Sequence, residues 1–212
     1  MTLTGSKLTL KLSSRRSLLM LSAAVMLTVI GLSATPHALA QAAAAPKVKF
    51  VTSQGEFLVE VYPDKAPKTV ENFLQYVRDK HYDGTVFHRV IDNFMVQGGG
   101  FDAQFNEKKT RPPVAHEGRE AMARGGDKNA VGTLAMARTN DPNSATAQFF
   151  INVRDNDFLN PSVSAPGYTV FGKVVSGMDV ITKIKAVPTG TTGPFSDVPR
   201  TPITIVSATI AK

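Results

Sequence analysis

The chain has 212 residues, 42% of them hydrophobic, with a formal charge of +7, no cysteine and no tryptophan. This is enough for one domain with its own core, and it excludes a disulfide scaffold and thiol chemistry. The charge is unevenly placed: Lys7, Lys11, Arg15 and Arg16 stand near the start with no acid among them, ahead of an apolar run from Leu18 to Ala34. That order is the order of an export signal, and Ala38-Leu39-Ala40 supplies the small residues of a cleavage site. Cleavage after Ala40 leaves a mature chain of 172 residues that begins at Gln41, and removing the four cations lowers the charge from +7 to +3. No basic patch remains to argue for nucleic acid. The stretch Ser14 to Leu19 is also similar to a twin-arginine signal. Left uncleaved, the run would be a membrane anchor, but Ser22, Thr28, Gly31 and Ser33 dilute it. The expected location is the periplasm, with secretion or anchoring by the uncleaved signal as alternatives and no membrane insertion after cleavage.

Residues 41–46 read as a flexible lead-in to a single domain over 47–212. KVKFVTS and EFLVEVY flank Gln54-Gly55 as a first hairpin. In the next segment Val70, Phe73, Leu74 and Val77 recur at i, i+3, i+4 and i+7 behind Pro67 and ahead of Asp83-Gly84, the pattern of an amphipathic helix. Further strands are expected in TVFHRV, FMVQG, GTLAMAR, QFFINV, YTVFGKVV and PITIVSATI. A second helix begins at Ser176-Gly-Met-Asp179, with Val180, Ile181 and Ile184 on one side. Residues 101–129 carry charge, Gly and Pro without periodicity and read as irregular loop. The fold class is therefore mainly β, a closed eight-stranded antiparallel barrel capped by two helices.

Alternation sorts the strand residues by face. Phe149, Ile151 and Val153 share the core side, opposite Gln148, Phe150 and Asn152. Val96 points with Phe94 if that strand starts early enough, and Met95 and Gln97 point the other way. Leu134 and Met136 oppose Ala135 and Ala137. An outer surface thus collects Met95, Gln97, Ala137, Gln148 and Phe150, and Arg89 can join it from the preceding strand. Gly98-Gly99-Gly100 lacks the Lys and Ser/Thr of a phosphate loop and reads as a turn leaving the strand. His81, His88 and His116 are isolated, so no metal site is expected.

In their order along the chain, APKTVENF, FHRVIDNFMVQGG, GTLAMAR, SATAQFFI and VFGKVV resemble cyclophilin-type peptidyl-prolyl isomerases, from about Lys47 to Ile210. The resemblance implies an eight-stranded barrel, Arg89 as the catalytic residue, and Phe94, Met95, Gln97, Phe150 and Leu159 around the substrate proline. It also implies that Ala137 and Gln148 border the peptide groove. Phe158 stands where the best-known eukaryotic pattern has tryptophan, and Tyr168 where it has histidine, both at the pocket edge; the first change implies weak cyclosporin binding. Arg138 replaces a common asparagine, with little loss expected because that position serves mainly through its backbone.

These residue types suit prolyl isomerisation. The barrier to X–Pro rotation, roughly 18–20 kcal/mol, comes from amide resonance, and no covalent bond breaks. A guanidinium near the prolyl nitrogen stabilises the lone pair that appears when resonance is lost. An apolar cup of Phe94, Met95, Phe150 and Leu159 holds the ring, and Gln97 can fix Arg89 or the substrate backbone. The expected enzyme is a cofactor-free monomer acting on proline-containing polypeptides. A peptide-binding module would not need Arg89, and a hollow carrier barrel is opposed by the bulk of Phe149, Ile151, Val153, Leu134 and Met136.

Overall fold

The computed structural model describes residues 45–211; the expected signal and residues 41–44 of the lead-in lie outside the described residues. The first hairpin is β1 (Lys47–Thr52) and β2 (Gly55–Val61), followed by α1 (Pro67–Arg78). Next come β3 (Thr85–Ile91), β4 (Met95–Asp102), a short α2 (Gly118–Ala123), β5 (Thr133–Met136) and β6 (Phe149–Asn152). The chain ends with β7 (Val170–Ser176), α3 (Met178–Lys185), β8 (Thr189–Thr192), β9 (Phe195–Pro199) and β10 (Ile205–Ile210).

Eight strands form one antiparallel sheet in the order β10-β1-β2-β7-β5-β6-β4-β3. Its two edges meet through a bridge between Val86 and Thr204, and Gly84 and Phe87 donate their N–H groups to Ile205 O and Ile203 O. The sheet is thus a nearly closed barrel. Its interior is packed with aromatic rings: Phe50 stacks on Phe57 at 4.9 Å, Phe73 meets Phe171 at 5.0 Å, and Tyr82 meets Phe149 edge-on at 5.5 Å. Val70, Phe73, Leu74 and Val77 of α1 and Val180, Ile181 and Ile184 of α3 are buried in the same core, which is why both stripes were legible as helices.

The described residues depart from the expectation in three places. There are three α-helices, the additional one being six residues inside the stretch read as loop. The hairpin β8–β9 forms a separate two-stranded sheet that the strand count omitted. Gly98-Gly99-Gly100 lies within β4 and is not a turn. A Cβ at Gly98 would stand 2.9 Å from the Phe87 ring, one at Gly99 2.8 Å from Tyr82, and one at Gly100 2.6 Å from the Gln148 side chain. Close approach, with φ of +88° at Gly99, is what glycine provides here.

Candidate active site

A second apolar cluster lies apart from the barrel core: Met95, Ala135, Phe150, Leu159 and Val170 are buried, with Phe94, Ala137 and Tyr168 packed against them. Strand alternation accounts for this division. Met95, Ala135 and Phe150 belong to it, whereas Val96, Leu134, Met136, Phe149 and Ile151 belong to the interior. Phe94 would point with Val96 only if the strand began early enough to include it, and it does not. The strand begins only at Met95, and Asn93 has a φ of +58°, so the chain turns before the alternation starts and Phe94 joins Met95 instead of Val96.

This cluster floors a pocket of about 130 Å³. That is room for one small ring, well below the roughly 300–1,000 Å³ of pockets for drug-sized ligands. Phe94, Met95, Phe150 and Leu159 line it on the apolar side, with Ala137 and Tyr168. Arg89, Gln97 and Arg138 supply its polar groups. Gln148 belongs to the adjoining groove, with Thr110, Thr139 and Thr146. Phe158 does not line the pocket: it is 73% exposed and stacks at 5.8 Å on the Phe94 ring.

Buried amides hold the walls in place. The Phe94 carbonyl accepts from Val153 N–H (3.1 Å) and Asn156 Nδ2 (2.9 Å). Asn156 also donates to Asn152 Oδ1, and Asn152 donates to Asn129 Oδ1. Asn129 in turn donates to the Leu159 carbonyl, which also accepts from Tyr168 N–H. Two walls of the pocket therefore share one hydrogen-bond network through the buried asparagine side chains, in which the Asn156 Nδ2 donates twice while its Oδ1 has no partner.

The polar groups differ from the expectation in their pairing. Gln97 Nε2 donates to Gln148 Oε1 at 3.0 Å, a glutamine pair that was not expected. Arg89 stands opposite Gln97 across β3 and β4, and its Nε lies 3.7 Å from Asp197 Oδ2. Arg138 does more than its backbone role implied. Its guanidinium lies 4.5 Å over the Tyr168 ring, Nε and Nη2 donate to Gly167 O, and Nη1 donates to Thr139 O. Tyr168 in turn meets Phe150 edge-on at 5.4 Å. The side-chain role of Arg138 and the whole of Asp197 were missed in the sequence. An arginine ending the small apolar run TLAMA was a signal for the first, but nothing local signalled the second.

A nearly closed antiparallel barrel with an apolar cup and a guanidinium on its outer face has the cyclophilin fold. It is similar to the crystal structure of a cyclophilin type peptidyl-prolyl cis-trans isomerase from Cryptosporidium parvum, with a TM-score of 0.64 over 79% of this chain and 98% of that one, at 24% identity. The sequence model described as cyclophilin type peptidyl-prolyl cis-trans isomerase/CLD matches residues 47–210, and the chain belongs to that family. Peptidyl-prolyl cis-trans isomerase B of Escherichia coli is 51% identical over 78% of this chain and 99% of its own length. A peptidyl-prolyl cis-trans isomerase of Acinetobacter baylyi is 48% identical over 88% and 94%. The protein is an isomerase of X–Pro bonds, and proline-containing polypeptides are its substrates.

Proposed function

We propose that the protein accelerates X–Pro rotation in exported polypeptides during their folding, with Arg89 as the catalytic group and the cup of Phe94, Met95, Phe150 and Leu159 as the proline site. The observation that carries this reading is the placement of the Arg89 side chain on the rim of an apolar pocket sized for one ring. The planar X–Pro amide has its nitrogen lone pair delocalised and offers a donor little. As the bond twists, the nitrogen becomes pyramidal and its lone pair localises, so a guanidinium N–H stabilises the twisted state more than either planar isomer. The cup holds the ring in all states and keeps water from the guanidinium. Gln97 and Gln148, already bonded to each other, present amide groups to the substrate backbone along the groove.

Replacing Arg89 with alanine should lower kcat/KM for an X–Pro peptide at least about a hundredfold, equivalent to roughly 2.7 kcal/mol, while peptide affinity by titration changes much less. Phe150→Ala should weaken affinity and turnover together. Near wild-type turnover by folded Arg89→Ala would leave the site a peptide-binding groove without this mechanism.

The export part of the proposal rests on the cationic and apolar order of residues 1–40 and the Ala38-Leu39-Ala40 motif. The mature domain then works as a periplasmic monomer. N-terminal sequencing of the protein recovered outside the cytoplasm is expected to begin at Gln41, and an intact membrane-bound chain starting at Met1 would refute cleavage.

A further inference from the structure

Arg89 reaches its pocket on a side chain with four rotatable bonds, and a donor that stabilises a transient lone pair must be held in place beforehand. The question is what holds it. Among the described residues Arg89 has one ion-pair partner, Asp197, and Gln97, its neighbour across the strands, is bonded to Gln148 instead.

Asp197 sits in the hairpin β8–β9, outside the barrel sheet. The pairing of that hairpin shifts register between Gly190 and Thr192, an irregularity of the kind that re-aims side chains. Asp197 itself has a φ of +59°, a left-handed conformation that L residues other than Asn and Asp seldom adopt. The strand is anchored on both sides of it. Phe195 packs on Phe101 at 5.2 Å and on Phe105 at 5.1 Å, and Val198 is buried. Arg200 N–H bonds Pro188 O at the hairpin base. The anchored hairpin thus carries one unusual backbone conformation, and that conformation brings a carboxylate to the guanidinium.

We infer that Asp197 is a positioning residue for Arg89, engaging Nε so that the Nη groups remain directed to the prolyl nitrogen. This inference rests on the catalytic reading of Arg89. Stability does not account for the pair, because both side chains are about two-fifths exposed and such ion pairs contribute little to folding. Nor does simple charge: a carboxylate beside a cationic donor damps its field, so if that were the whole effect its removal would raise turnover. Positioning requires the opposite sign.

The test uses the mature domain with Asp197→Asn and Asp197→Gly, both compatible with a left-handed backbone. Kinetics on an X–Pro peptide should show kcat falling in the order Asp, Asn, Gly, by about tenfold at Gly, with KM within about twofold and the unfolding midpoint unchanged. In an Arg89→Ala background Asp197→Gly should have no further effect, because the residue it positions is gone. Equal or higher kcat in Asp197→Gly, or the same loss in both backgrounds, would overturn the inference. Wild-type turnover by Arg89→Ala would instead overturn the catalytic reading, a distinguishable result.

Discussion

Gly100 illustrates how a residue without a side chain can shape the groove. It lies in β4 three residues beyond Gln97, and an added Cβ would stand 2.6 Å from Cγ, Cδ and Nε2 of Gln148. The space Gly100 leaves is therefore filled by the glutamine that accepts from Gln97. Its φ is not in the left-handed region, so alanine is acceptable to the backbone, and the side chain of Gln148 can swing away. Gly100→Ala should consequently cost little stability, within about 1 kcal/mol, yet break the glutamine pair. If that pair presents the substrate backbone, KM for an X–Pro peptide should rise about threefold or more while kcat holds. Unchanged KM would show that the amides play no part in substrate binding. Arg138 and Tyr168 make a second point at this scale: the cation over the ring closes one side of the pocket through groups adjacent in space but thirty positions apart in sequence.

At the scale of elements, what could be read in the sequence is what local periodicity determines. Strand alternation separated Met95, Ala137 and Phe150 from Phe149, Ile151 and Leu134, because a pleated strand that buries one face must send alternate residues to the other. The helical stripes of α1 and α3 were legible for the same reason. Periodicity stopped being informative where the backbone left its regular path. Alternation could not place Phe94, because Asn93 turns the chain just before β4 and the strand begins only at Met95; its place in the pocket was legible only through the family resemblance. The hairpin β8–β9 was missed because TGTT and FSDVP are largely polar and bury little beyond Val198 and Pro199. The loop between β4 and β5 hid a structural device of another kind. Helix α1 has no side-chain cap of its own, and Glu117, forty-eight positions from Thr69, accepts from the Lys68 and Thr69 N–H groups and from the Thr69 hydroxyl. A remote carboxylate can cap a helix as well as a local one, but only tertiary structure shows it. Asp197 is the functional counterpart, since its neighbours in sequence give no hint of Arg89.

For the whole molecule, the same dense packing that fills the barrel makes its stability depend on pH. His88, one residue before Arg89, is buried against Phe101, and its Nδ1 has no hydrogen-bond partner. Burial, with the nearby Arg89 charge adding to it, lowers its pKa from 6.5 to about 4, against an opposing influence of the Val86 backbone. His81 and His116 are also lowered, in each case chiefly by burial. A histidine depressed in the folded state is protonated first in the unfolded chain. Its contribution is therefore complete above pH 6.5 and is lost as pH falls from there through the folded value. The lowered carboxylates Asp79, Asp92 and Asp102 have an ordinary value of 3.8, so their contributions fade at lower pH and leave this window to the histidines. His88 alone should remove about 2 to 3 kcal/mol of stability between pH 7.5 and 4.5. Urea unfolding of the mature domain at both values, compared with His88→Leu, measures that share. The variant should lose correspondingly less stability on acidification, with the remaining decline assigned to His81 and His116. An equal decline in both proteins would mean that His88 is already charged, or solvated, at neutral pH.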